Sequence, residues 1–401
     1  MKNPWWLFAC LAWLWQPASA AGPAGSLVYI GTRAELPSAA DREKAQGTIP
    51  AQGIYAARLD AVTGRLTMLG HQAEFARSSW LLTHPVLPVL YAVARAPGAA
   101  EAVAAGRPEP QSEVHSFAID PGSGRLRPLN QAGSATLNTN HLALDTATMT
   151  LFVSGFETGN VTVMPIRPDG RIGDVIANAR NSGTGPHPRQ QAPHSHSVAL
   201  DPTHRFLVST DFGADRIFIR RFNPSTRQLT PADTPYVQLP PGSGPRHLAF
   251  HPNGRFLYLN TELSAELRVY RWDPGRGSLQ SVATMSAYPP GYEGTDRSSA
   301  EIALSADGRF LYVSLRGDQD SMVVYAVNPG SGGLTEIQRI GAQGRRPWSF
   351  GIDPSGRWLL VANEGSNSVN VFGIDAASGR LRPTNEVLSI PNPAAVAYYA
   401  R

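Results

Sequence analysis

Short apolar or alternating runs, broken by Gly, Pro, Asp and Asn, recur from residue 27 to residue 398. No long stretch carries the period of an amphipathic helix, so the pattern predicts strands. The segment 244–264, GPRHLAFHPNGRFLYLNTELS, shows the repeating unit in full. It reads as a first strand over 247–250, a tight turn at HPNG over 251–254 and an aromatic second strand over 256–259. Arg246 precedes the first strand and Glu262 follows the second. A hairpin returns to its own start, so these two charges are predicted to lie on one side.

Seven turn-rich phrases, beginning at Asp60, Asp120, Arg167, Asn223, Asp273, Asn328 and Asp375, mark the far edge of each unit. Their starts are 47 to 60 residues apart, enough for four short strands and their turns. Asp, Asn, Pro, Ser and Gly in them suit hairpins between third and fourth strands. One such sheet cannot bury both faces until neighbours stack around a ring, so the fold class is all-β, a seven-bladed propeller of four-stranded blades. The chain ends in PAAVAYYAR (393–401), a first strand with nothing after it, whereas LVYIGT (27–32) is a second strand with nothing before it. The closing blade is therefore predicted to be shared between the N- and C-terminal strands. Segments 35–50 and 97–113 interrupt the period and read as long surface loops.

Composition adds three limits. Among 401 residues, 42% are hydrophobic, which is ample for a large core. Residues 1–20 carry Lys2, an apolar run over 5–15 and Ala18-Ser19-Ala20, the pattern of a secretory signal cut after Ala20. The apolar run continues past Cys10, unlike a lipoprotein signal, and it is too short for a comfortable membrane span. The expectation is a periplasmic or secreted protein, not held at a membrane after cleavage, whose propeller occupies 21–401. Cys10 is the only cysteine, so the mature chain has neither disulfides nor a thiol nucleophile. A net charge of +4, with no Lys/Arg run in the mature chain, excludes an evident nucleic-acid partner.

Chemistry must then come from His, Arg, Asp and Glu. Aligned on their aromatic cores, the second strands place Arg33, Arg95, Glu157, Phe212, Glu262, Arg316 and Glu364 at one register position. The entries to the first strands place Ser79, Asn140, His196, Arg246, Ala300 and Trp348 opposite them. Both sets are predicted around one mouth of the central channel. An ion-pair belt that fixes blade spacing accounts for Arg33, Arg95, Glu157 and Glu364. His196, Arg246, Glu262 and Arg316, on three successive blades, instead bring a titratable base, a carboxylate and two guanidiniums to one small volume, which is equipment for ester chemistry on a carboxylated compound. His187, His194 and His196 raise a metal site, but no acidic residue is spaced to complete it. His247 and His251 read as strand and turn residues, Asp211 as a turn-former, and Glu301 as a substrate ligand or a loop cap.

The phrases RQQAPHSHSVALDP (189–202), GSGPRHLAFHPNGRFLYLNTELS (242–264), SAEIALSADGRFLYVSLRG (299–317) and RPWSFGIDPSGRWLLVANEGSNSVNVF (346–372) resemble the lactonase family of seven-bladed propellers. That family includes propeller-type 6-phosphogluconolactonases and carboxymuconate cyclases. His194, Glu301, Trp348 and Arg95 are read as substrate-binding candidates, and the resemblance implies His196, Arg246, Glu262 and Arg316 as catalytic residues, the four that the repeat register selects. It implies a small-molecule lactone as partner, and neither a metal nor another cofactor. The family often has Asn-Glu-Leu at 261–263, Asn-Arg-Gly at 315–317 and Pro-Arg at 347–348, where this chain has Thr261, Leu315 and Trp348. Loss of an arginine at Trp348, together with export, points away from a phosphorylated sugar. The reaction expected is hydrolysis of a lactone, with His196 or Glu262 activating water and Arg246 and Arg316 holding substrate oxygens. The rival readings are a non-catalytic propeller that binds a sugar or peptide at the same face, and a lactonising cyclase.

Overall fold

A computed structural model describes residues 25–36 and 50–400; the proposed signal segment, Cys10 and most of segment 35–50 lie outside the described residues. Among those residues, seven four-stranded antiparallel sheets surround a central channel, and no helix is long and apolar enough to cross a membrane. Strands β1 (Gly25–Thr32), β2 (Gly53–Asp60) and β3 (Leu66–Glu74) are joined by the last strand, β28 (Pro393–Tyr399). The closing blade has the order β28-β1-β2-β3 and is shared between the two ends, as expected. Its seam is a continuous ladder in which Leu27 faces Tyr399 and Ile30 faces Val396. Segment 97–113 is not entirely loop. It contains a short helix, α1 (Ala99–Ala104), on which Ala99 and Ala102 are buried.

All seven turn-rich phrases connect a third strand to a fourth, and six of them use one local device. The leading carboxylate or amide of Asp60, Asp120, Asn223, Asp273, Asn328 or Asp375 accepts from backbone N–H groups two or three residues on. An i+4 N–H then returns to the leading carbonyl from a residue at positive φ, glycine in five cases and Arg227 in the sixth. Glycine serves two ends there. It enters the left-handed region without strain, and at Gly277 an added Cβ would overlap the Phe206 ring of the preceding blade.

The same turns are stitched to neighbouring blades. Tyr29, Tyr91, Tyr258 and Tyr312, all buried on second strands, donate their hydroxyls to the carbonyls of Gly124, Gly170, Gly332 and Gly379 of the next blade at 3.0–3.1 Å. Apolar layers fill the remaining space. In one, Phe206, Val208, Ile217 and Ile219 pack against Leu257, Leu259, Tyr270 and Trp272 of the following blade. Each fully buried side chain of this size contributes about 1.5–3 kcal/mol, so the ring is held by the interfaces between blades.

Candidate active site

Inner strands β8 (Thr139–Asp145), β12 (Ser195–Leu200), β16 (Pro245–Phe250), β20 (Arg297–Leu304), β24 (Pro347–Ile352) and β28 all shift register at their channel entrance. The residues in these bulges are Asn140, His196, Arg246 with His247, Ala300 with Glu301, Trp348 and Ala394. A bulge breaks the strict alternation of faces, so consecutive side chains can both serve the channel. The second strands satisfy the freed N–H groups. Asn260 Oδ1 accepts from His247 N at 2.9 Å, Ser314 Oγ from Glu301 N at 3.0 Å and Thr210 Oγ1 from Ser197 N at 3.0 Å.

These bulges line a pocket of about 130 Å³, and Arg33, Arg77, Arg189, Trp80 and Glu262 complete its walls. A wider vestibule of about 560 Å³, bordered by Arg297, Arg316 and Arg346, shares Arg189, Glu262 and Trp348 with it. Glu262 is the electrostatic centre. It accepts from Arg246 Nε at 3.1 Å and from Arg189 Nη1 at 2.8 Å, Arg316 Nη2 lies 3.3 Å away, and His196 Nε2 stands at 3.9 Å. Burial alone would push this carboxyl up, but Arg316 and Arg246, with His196 and Arg189, hold it well below the carboxylate range. Burial, then Arg316, lowers Arg246 to about 10, so it remains cationic at neutral pH. Three guanidiniums around one carboxylate leave the cluster two charges positive.

Deeper in the pocket the groups are neutral or titratable. His196 and His247 have ring centroids 5.0 Å apart, His141 stands 5.3 Å from His247, and Trp80 packs on His141 at 4.0 Å. Burial first, and the neighbouring cations second, keep His196 and His247 well below the usual imidazole value. Both are neutral at physiological pH. Glu301 is pushed up to about 7, chiefly by burial. It accepts from His247 Nδ1 at 2.8 Å.

The four residues picked from the repeat register, His196, Arg246, Glu262 and Arg316, therefore meet. Trp348 joins them, with its indole under three guanidiniums at 3.9 Å (Arg33), 4.5 Å (Arg316) and 5.6 Å (Arg246). Glu301 lines the same pocket. His194 stands just outside, stacked on Phe156 at 4.6 Å and bonded through Nδ1 to the Phe156 carbonyl. Arg95 stands apart, its guanidinium paired with Glu35 at 2.6 Å and Glu109 at 2.7 Å. Arg33 and Glu364 form the expected belt pair at 3.2 Å, whereas Glu157 accepts a 3.3 Å bond from Asn138 and has no ion-pair partner among the described residues. Among the described residues, His187, His194 and His196 do not form a metal-binding group. Asp211 is the turn-former expected, accepting from His194 N and Ala214 N at 2.8 Å each.

Among the residues in and around the pocket that escaped the sequence reading, which include Arg77, Trp80 and His141, two touch the central charges directly. His247 was expected as a plain strand residue but turns into the pocket, because the bulge lets it follow Arg246 to the same side. Arg189 sits in the connection between blades, outside the repeat register, with its guanidinium 4.5 Å above the Phe212 ring. Only the density of polar residues in 186–196 hinted at it.

Fold and site together define a propeller with an arginine-rich pocket, open to a wider vestibule and suited to a small oxygen-rich substrate. The sequence profile described as "Lactonase, 7-bladed beta-propeller" matches residues 28–398, and the chain belongs to that lactonase family. It is 30% identical to the 6-phosphogluconolactonase of Bacillus subtilis (strain 168) over 347 residues, 86% of this chain and 94% of that one. A 6-phosphogluconolactonase of Formosa agariphila is likewise 30% identical, over 85% of this chain and 94% of its own length. Among solved structures, the Pseudomonas aeruginosa periplasmic gluconolactonase is similar at 32% identity and a TM-score of 0.82, covering 94% of this chain and 99% of that chain.

Proposed function

We propose that this protein hydrolyses the lactone of an unphosphorylated sugar acid, outside the cytoplasm. The observation that carries this reading is the pocket wall itself, where three guanidiniums surround Glu262 and the neutral His196 faces them. Each guanidinium has five N–H donors, more than one carboxylate can occupy. The remaining capacity of Arg246 and Arg316 suits the oxyanion that forms when water adds to the lactone carbonyl.

His196 is in its basic form and takes the proton from the attacking water. Glu262, with its low proton affinity, is a poor base and serves as the anchor that holds the arginines in place. Trp348 offers an apolar face to the sugar ring where a further arginine would favour a phosphate. Support for an unphosphorylated substrate comes from this tryptophan, from the signal-like residues 1–20 and from the likeness to a periplasmic gluconolactonase. No metal is needed in this scheme, because the arginines supply the positive charge.

A panel of sugar-acid lactones, with and without the 6-phosphate, followed by the pH drop of acid release, tests the reading. Expected is faster turnover of the unphosphorylated lactones, unchanged by dialysis against a chelator. A strict preference for the phosphorylated substrate, or activity that returns only with added metal, would overturn it. Cell fractionation and N-terminal sequencing of the exported protein check cleavage after Ala20.

A further inference from the structure

Arg246 can only donate hydrogen bonds, and that fixes the state of its neighbour. Its Nη1 lies 3.3 Å from His247 Nε2, so Nε2 must accept. The ring proton therefore sits on Nδ1, which donates to Glu301 Oε1 at 2.8 Å. Oε1 receives a second bond from Ile302 N at 3.1 Å. With Oε1 engaged twice as an acceptor, any proton Glu301 carries must sit on Oε2, which is buried and has no hydrogen-bond partner among the described residues, in a residue that lines the pocket. The surroundings favour exchange at that atom. Arg246 and His247 face Glu301 from β16, His141 from β8 and His196 from β12, while Glu262 and Arg316 complete the charges nearby.

We propose that Glu301 is the general acid of this pocket, aimed by His247, and that it delivers its Oε2 proton to the ring oxygen of the lactone. The assignment rests on the hydrolase reading above. In the full cycle, a bond forms between the water oxygen and the carbonyl carbon while His196 takes one water proton. The bond from that carbon to the ring oxygen then breaks, and the ring oxygen leaves with the proton of Glu301. His196, the weaker base, returns its proton to the Glu301 carboxylate. One water is consumed, one hydroxy acid is formed, and its carboxyl releases the proton that a pH-drop assay reads. His247 touches no reacting atom in this scheme and is a positioning residue.

The test combines pH–rate profiles with difference infrared spectroscopy of the full mature chain. For the wild type, kcat/KM is expected to fall as pH rises through about 7, following loss of the Glu301 proton. Glu301→Gln should lower turnover by about a hundredfold or more and abolish that limb, and Glu301→Asp should retain it at reduced rate. His247→Phe removes the Nδ1 donor to the carboxylate and should move the limb to higher pH. A carboxylic-acid band that titrates between about pH 5 and pH 9 and is missing from Glu301→Gln is the expected infrared result. Persistence of the limb in Glu301→Gln, or absence of a titrating band, overturns the proposal. A protein inert on every lactone whose band still titrates would sink the hydrolase reading and leave Glu301 as the proton-exchanging group.

Discussion

Glu262 Oε2 lies 3.1 Å from Nε of Arg246, and Arg246 is the largest of the fully buried side chains. Removing one partner of such a pair leaves an uncompensated buried charge, at a cost of about 3–5 kcal/mol. Glu262→Gln should therefore lower the urea midpoint clearly and raise KM, while the fall in rate assigned to Glu301 on the basic side persists. The sign of the pH dependence follows from a folded carboxyl held below its ordinary 4.5. Stabilisation by Glu262 is complete above that value and is lost as the pH falls toward the folded one. The advantage of wild type over Glu262→Gln should thus shrink on acidification, and a gap independent of pH would contradict the ion-pair account.

Glu301 carries the opposite linkage. Its folded value, about 7, lies above the ordinary 4.5, so the folded state binds more protons than the unfolded state between those limits. Stability from this residue is fully present below the lower value and declines as pH rises through the upper one. Thermal unfolding of wild type and Glu301→Gln across this range should show wild type losing ground with rising pH. Parallel curves would argue that the carboxyl is not perturbed.

Trp348 is approached by Arg33, Arg246 and Arg316, the nearest at 3.9 Å. Desolvated cation–π contacts are worth about 1–2 kcal/mol each, and the indole also separates like charges. Trp348→Ala should raise KM by about tenfold or more and lower the melting temperature, whereas Trp348→Phe should recover most of both. An alanine variant with wild-type kinetics would remove Trp348 from the substrate surface.

The β28 ladder predicts a dependence of the whole ring on its C terminus. Deleting residues 395–401 strips the inner strand from the closing blade, including the faced pairs Leu27–Tyr399 and Ile30–Val396. Cooperative unfolding followed by tryptophan fluorescence should be abolished. An unchanged melting transition in the truncated protein would show that the ring closes without this strand.

Propeller, blade number and shared closing blade were all legible in the sequence, because each rests on local chemistry that repeats. Asp60, Asp120 and their counterparts specify their turns through hydrogen bonds to N–H groups two or three residues away, and Gly64 or Gly124 provides the positive φ that these turns require. Register arithmetic then brought His196, Arg246, Glu262 and Arg316 to one mouth, since equivalent positions of equivalent blades must share a face. Tertiary structure alone decided which neighbours join them. Strand alternation would send His247 away from Arg246, and the bulge that reverses this depends on Asn260 of the next strand accepting the freed N–H. Arg95 shares the register of Arg316 yet is drawn off by Glu35 and Glu109, and Arg189 reaches Glu262 from a connection that no repeat specifies. The physical reason is range: turns and alternation are set within a few residues, whereas bulges and ion-pair choices are settled by groups that meet only after the ring has closed.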